Sequence, residues 1–293
     1  MSLELEHDMI KSLGFALLAG VLCVSTAGAV HDPDVNGLEL RCQTGLGKAS
    51  VKFVGCKAKC VSKCIANARK VPPLNPESDC FPPFGGATLT CIADPLKGCE
   101  AKAVAANKKV CFGSDPLKTN CPECYTARSG GDQTCGAYSV DVVVNGLSNP
   151  TAPSLEAQVD SFGFVFCNDN PNNPAEDKCE QGVAKSLVKF VSCKFKCYDR
   201  CVGAAHRGII PPGSCNPPSP SDPTTFGCLF NVASGCEAKA IAACNKACMT
   251  PPADAPECYG GLCSSLVSLV ETAVDGNLAN TFCGSPSGAF LAE

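Results

Sequence analysis

Between Val51 and Cys64 the chain reads VKFVGCKAKCVSKC, with Cys56, Cys60 and Cys64 four residues apart among lysines. That spacing is close to one helical turn. At about 100° per residue, Cys60 and Cys64 fall about 40° and 80° round from Cys56, and the earlier Cys42 also falls at about 40°. Leu46, Ala49 and Phe53 share this arc, with Asn67 as a polar exception near the helix end. Four thiols on one apolar face are placed to bond a second helix packed alongside. Lys48, Lys52, Lys59 and Lys63 occupy a neighbouring arc. One helix thus carries a cysteine face and a basic face.

The pattern occurs twice. CQTGLGKASVKFVGCKAKCVSKC, from Cys42, matches CEQGVAKSLVKFVSCKFKCYDRC, from Cys179. At the same offset GCEAKAVAANKKVC matches GCEAKAIAACNKAC. PECY recurs at Pro122 and Pro256, VDVVVNG from Val140 echoes VETAVDG from Val270, and Phe166-Cys167 echoes Phe282-Cys283. Self-similarity at a fixed period is the signature of a repeat architecture.

Each copy reads as two main helices and a shorter third. The first helix covers 40–68 and 178–205, ending before RKVPPLNP and RGIIPPGS, where proline cannot continue it. The second begins at Asp94-Pro95, an N-cap with proline at the first helical position, and Asn231 fills the same cap in copy two. The third runs from Leu266 to Val274; its copy-one counterpart, Val140–Val144, is rich in β-branched valine and also fits a strand. The expected fold class is mainly α: two tandem disulfide-stapled helical-hairpin repeats with long Pro/Gly-rich loops. Copy one spans 38–167 and copy two 178–284. The polar, aperiodic NDNPNNPAED, residues 168–177, reads as the linker.

Composition supports a covalent scaffold. There are 25 cysteines in 293 residues, no tryptophan and few aromatics, so the apolar core is expected to be thin. MIKSLGFALLAGVLCVSTAGAV contains Lys11, an apolar stretch and Ala27-Gly28-Ala29, which together read as a signal peptide over residues 1–29. The acidic lead MSLELEHD is atypical, and Met9 is the expected start of translation. The alternative is an uncleaved anchor, for which Leu13 to Val30 is marginally long. Cleavage removes Cys23 and leaves an even number of cysteines, divided evenly between the copies when Cys167 is assigned to the first and Cys258 to the second. Export to an oxidising compartment, secreted or periplasmic, and complete pairing within each copy are the expectations. Asn107 stands where copy two has Cys244, and Ala255 where copy one has Cys121, so the even count survives.

An antiparallel hairpin suggests partners. Cys56 falls opposite Cys99 and Cys193 opposite Cys236. Cys42 falls near Cys111, Cys179 near Cys248, Cys64 near Cys91, and Cys201 near Cys228. Cys60 with Cys80, and Cys197 with Cys215, follow.

Several chemistries are disfavoured. No C-x-x-C-H is present for haem attachment. A zinc or Fe–S site on C-x-x-x-C-x-x-x-C competes with disulfide bonding, which export favours, so neither a metal nor a cofactor is expected. The C-x-x-C at Cys121 becomes APEC in copy two, with no thioredoxin-like surroundings. No G-x-S-x-G or H-E-x-x-H occurs. His206 stands where copy one has Arg69, which points to a basic helix end. Glu100 and Glu237 read as ordinary first-turn acids.

The basic faces are the one recurring surface feature. Lys48, Lys52, Lys59 and Lys63 have Lys185, Lys189, Lys196 and Arg200 as counterparts. Such a face is most often simply solvated, but it also suits an acidic polysaccharide or lipopolysaccharide. The lack of interleaved aromatics argues against nucleic acid.

The cysteine- and lysine-spaced helix, the Pro/Gly loop and the second Ala/Lys-rich helix ending in cysteine resemble the secreted cysteine-containing helical hairpins of environmental proteobacteria. The resemblance implies export and tandem repetition and carries no established activity. The leading expectation is a secreted or periplasmic disulfide-rich structural or binding protein without catalytic activity. A polyanion-binding module and an extracellular hydrolase are the alternatives.

Overall fold

The computed structural model describes residues 37–70, 73–74, 76–111, 122, 125, 135–145, 154–160, 165–167, 173–250, 255–260 and 263–282. The expected signal peptide, Cys121 and Cys124 lie outside them. Among the described residues the chain is helical, without strands. In chain order the helices are α1 (Gly37–Ala68), α2 (Gly86–Ala93), α3 (Cys99–Cys111), α4 (Cys135–Val140), α5 (Leu155–Asp160), α6 (Pro174–His206), α7 (Pro223–Phe230), α8 (Cys236–Met249) and α9 (Cys263–Thr281). Short 3-10 turns lie at Glu77–Cys80, Pro212–Cys215 and Glu257–Tyr259.

The two long helices, α1 and α6, carry the expected stripe. Cys42, Leu46, Ala49, Phe53, Cys60 and Cys64 are buried, as are Cys179, Val183, Phe190, Cys197 and Cys201. Against them lie α3 and α8. Close approach at the open end of each hairpin depends on glycine. A Cβ on Gly45 would stand 2.6 Å from Val110 Cβ, and one on Gly182 would stand 2.5 Å from Ala247 Cβ. The bonds at this end accordingly have short Cα–Cα distances, 4.6 Å for Cys42–Cys111 and 4.4 Å for Cys179–Cys248.

The disulfides form a nested ladder in each half. Moving back along α1, Cys64 bonds Cys80, Cys60 bonds Cys91, Cys56 bonds Cys99 and Cys42 bonds Cys111. Along α6 the bonds are Cys201–Cys215, Cys197–Cys228, Cys193–Cys236 and Cys179–Cys248. The expected pairs at Cys42, Cys56, Cys179 and Cys193 are therefore present. The pairings Cys64–Cys91, Cys60–Cys80, Cys201–Cys228 and Cys197–Cys215 are corrected, because the returning chain is not one straight helix. The turn at Glu77–Cys80 packs at the very end of α1, so its cysteine meets Cys64. The separate α2 packs one turn earlier and delivers Cys91 to Cys60.

Asp94 also plays another part than the expected helix cap. It ends α2, and its carboxylate accepts hydrogen bonds from the Leu96 and Lys97 amides at 2.9 and 2.7 Å in the turn before α3. Asn231 closes the matching turn by accepting from Ala233 and Ser234 at 3.0 and 2.9 Å. Val140–Val144, which also fitted a strand, lies at the end of α4 and in a π-helical turn over Asp141–Asn145. Helix α9 begins at Cys263 and continues through Gly276 to Thr281, past the expected end at Val274.

The two halves share one core. Helices α1 and α6 pack together, and Cys167 bonds Cys258 across the expected boundary, so pairing is not confined within each copy. Tyr125 and Tyr138 donate from the first half to the Thr281 and Asn280 carbonyls at 2.7 and 3.2 Å. Arg69, after α1, donates to Asp177 at 3.0 Å and to the fully buried Glu180 at 2.5 Å in α6. Residues 174–177, read as the end of the linker, are instead the first turn of α6, capped by Asn173 accepting from the Ala175 amide. Residues 168–172 lie outside the described residues.

Candidate functional site

The expected metal ligands come together only as disulfides. The sulfurs of Cys56, Cys60 and Cys99 lie within 4.8 Å of one another, as do those of Cys193, Cys197 and Cys236. Each set belongs to two neighbouring bonds of the ladder, with closest non-bonded S···S distances of 3.6 and 3.4 Å. A sulfur in a disulfide is not a thiolate, so these sets offer no ligand while the bonds are closed.

All eight expected polyanion-binding residues, Lys48, Lys52, Lys59, Lys63, Lys185, Lys189, Lys196 and Arg200, are exposed. Tertiary packing divides them. Lys185 and Lys189 line a groove of about 490 Å³ between α6 and α8, together with Lys178 and Lys246. Its remaining lining among the described residues is polar or small, Gln181, Gly182, Ser186, Ala243, Ala247 and Thr250, with no carboxylate. Lys48, Lys52 and Lys196 line a second groove of about 190 Å³ between α1 and α6, but Asp199 is in its wall. Lys59, Lys63 and Arg200 line neither. Lys178 and Lys246 are the residues the sequence reading missed. Lys178 precedes the stretch whose spacing drew attention, and Lys246 sits on another helix. Both have basic partners in the first half, the exposed Arg41 and Lys109.

A second feature was absent from the sequence reading. Lys57 and Lys194 belong to the same lysine-rich segments yet are buried, at 1% and 0% exposure. Lys57 Nζ meets Glu156 at 2.6 Å and also ion-pairs Asp160, both on α5. Lys194 Nζ meets Glu271 at 2.6 Å and Asp275 at 2.8 Å on α9. Aromatic rings cover each ammonium: Phe84 and Phe53 at 5.2 and 5.7 Å from Lys57, and Phe190 at 5.8 Å from Lys194. Burial of an amine is tolerated because each is paired and hydrogen-bonded. The segment LEAQVD, Leu155–Asp160, thus fills the role that VETAVD plays in α9, and the echo assigned to VDVVVNG belongs here. The spacing Glu-x-x-x-Asp was the available signal.

The acids around Lys57 differ from those around Lys194. Burial pushes the Glu100 carboxyl up to about 7, helped by repulsion from and hydrogen bonding to Glu156. It is therefore more than an ordinary first-turn acid. Burial also raises Asp275 from the usual carboxylate range, against the attraction of Lys194. Glu100 lines neither of the grooves above, and its perturbation has its causes in the buried cluster around Lys57.

Comparison with known proteins gives no match: no family model, no curated protein and no solved structure corresponds to the chain. Among the described residues no helix is long and apolar enough to cross a membrane. The chain is a disulfide-rich helical protein, and its bonds suit an oxidising compartment.

Proposed function

We propose that this protein works outside the cytoplasm as a binding protein for acidic polysaccharide, its disulfide ladder holding basic grooves in fixed shape. The observation that carries this reading is the convergence of Lys178, Lys185, Lys189 and Lys246 on one groove that has no carboxylate among its described lining residues. Basic residues recur at the matching first-half positions as Arg41, Lys48, Lys52 and Lys109. The chain as a whole carries a formal charge of −4, so general basicity does not account for a local positive groove. Clustered cations between low-dielectric walls concentrate field lines and draw a polyanion by releasing its counterions. Rigidity contributes too, because lysines held on two stapled helices lose less freedom on binding than lysines on a mobile tail.

Retention on immobilised heparin against a salt gradient tests this. Replacing Lys178, Lys185, Lys189 and Lys246 by glutamine is expected to shift elution to much lower salt. Replacing Lys59, Lys63, Lys97 and Lys102 removes the same charge away from the groove and is expected to shift it far less. Equal shifts would reduce the effect to net charge and overturn the reading.

A further inference from the structure

In each half two neighbouring bonds of the ladder touch. Cys56 and Cys60 lie one turn apart on α1, and they bond Cys99 on α3 and Cys91 on α2. The Cys60 and Cys99 sulfurs belong to different bonds yet are 3.6 Å apart, and their counterparts Cys197 and Cys236 are 3.4 Å apart. The gap between Cys60 and Cys99 is therefore roughly 1.6 Å longer than a disulfide bond. Cys56 completes the group, with its sulfur within 4.8 Å of both.

Access is graded across these four cysteines. Cys91 is exposed and Cys56 half-buried, whereas Cys60 and Cys99 are buried in the apolar core at 4% and 1% exposure. A thiolate in solution thus reaches the Cys60–Cys91 bond from the side of Cys91. Its attack joins the incoming sulfur to Cys91, and the electron pair of the broken bond leaves on Cys60. A thiolate is disfavoured in a buried apolar site. The Cys99 sulfur beside it offers an outlet. Attack by Cys60 forms Cys60–Cys99, breaks Cys56–Cys99 and moves the charge to half-buried Cys56, which takes a proton from water. One incoming thiol is consumed, one protein thiol appears and the number of disulfides is unchanged, so the exchange needs no oxidant or reductant. In the second half Cys228 stands where Cys91 stands and is half-buried, which makes that entry point the less accessible of the two.

We infer that Cys56, Cys60, Cys91 and Cys99 form a thiol-exchange site, which takes a low-molecular-mass thiol covalently at Cys91 and presents a free thiol at Cys56. None of the four lines a lysine groove, so the site stands or falls independently of polysaccharide binding.

N-acetylcysteine is a suitable probe, supplied in limiting amount to the full oxidised protein. The reaction is quenched in acid, free thiols are alkylated with a maleimide, and the bonds are mapped by peptide mass spectrometry. In molecules carrying N-acetylcysteine on Cys91, alkylation is expected at Cys56 in roughly tenfold excess over Cys60, with Cys60 bonded to Cys99. Alkylation mainly at Cys60, with Cys56–Cys99 intact, would overturn the inference. So would N-acetylcysteine found only on cysteines other than Cys91. The variant C91S frees Cys60 without any reagent, and its map is expected to show Cys60–Cys99 closed and Cys56 free. A C91S protein with Cys60 free and Cys56–Cys99 closed would overturn the exchange step, and the measurement on the unmodified protein does not depend on whether this variant folds.

Discussion

The surroundings of Lys57 and Lys194 solve one problem with different means. Each lysine is buried on a long helix, faces a Glu-x-x-x-Asp pair from a shorter helix, and lies against phenylalanine. Around Lys194 the space is filled by Phe195 and Tyr198. Around Lys57 the smaller Ala58 and Val61 stand at these positions and line a cavity of about 50 Å³. A related difference runs through the third helices. The second half ties α8 to α9 with Cys244–Cys263, whereas in the first half Asn107 replaces the cysteine and donates to the Ser139 carbonyl of α4 at 3.0 Å. At this position the second half is held by a disulfide and the first by a hydrogen bond, and Glu100 of the first half holds its proton up to about 7.

The comparison is most directly broken by F195A. A buried phenylalanine cut to alanine leaves a cavity, so about 4 kcal/mol of loss is expected in chemical denaturation. Alanine already occupies the matching position in the first half, and A58F/A184G is expected to change stability little or to raise it. Equal losses from both variants would show that the first-half cavity is not available space.

The ladders provide the next largest effect, and here the halves should agree. Removing Cys42–Cys111 or Cys179–Cys248 as a paired serine variant is expected to cost about 3 kcal/mol in each case, since both bonds close loops with a sequence separation of 69. A markedly smaller loss in one half would mean that packing, and not the bond, holds that hairpin.

Lys57→Met and Lys194→Met sharpen the ionic part. Each leaves two carboxylates without their cation, and a loss of roughly 2–3 kcal/mol is expected at neutral pH. The loss should shrink in acid as the orphaned carboxylates protonate, which a pH series of unfolding midpoints would detect.

The smallest effect concerns Glu100. Its carboxyl is held at about 7 in the folded chain against an ordinary value of 4.5, so the native state keeps a proton the unfolded chain releases. Stability from this group is therefore present in acid and is lost as pH rises from about 4.5 to about 7, levelling off above. Glu100→Gln should flatten that part of the stability profile. A profile unchanged by the substitution would remove Glu100 from the cluster.

Legibility in the sequence followed the range of the interaction. The cysteine stripe, the bonds Cys56–Cys99 and Cys42–Cys111 and the exposure of the eight basic residues all follow from periodicity along one helix. The order of the Cys60 and Cys64 bonds was open to a simpler argument: a chain returning antiparallel meets successive turns in nested order, without crossing. The Lys57 cluster was hidden because its acids arrive from Leu155–Asp160, far along the chain, and because the lysine stands among exposed lysines of identical type. The groove at Lys178 and Lys246 was hidden for the same reason.

What the sequence determined by itself is a covalent helical scaffold written twice, because helical period and cysteine spacing are local quantities. Only the tertiary structure decided that the halves share one core through α1, α6 and Cys167–Cys258, which lysines are buried, and which converge on a groove. Those outcomes depend on how helices cross and which side chains fill the space between them, and no spacing along a single chain records either.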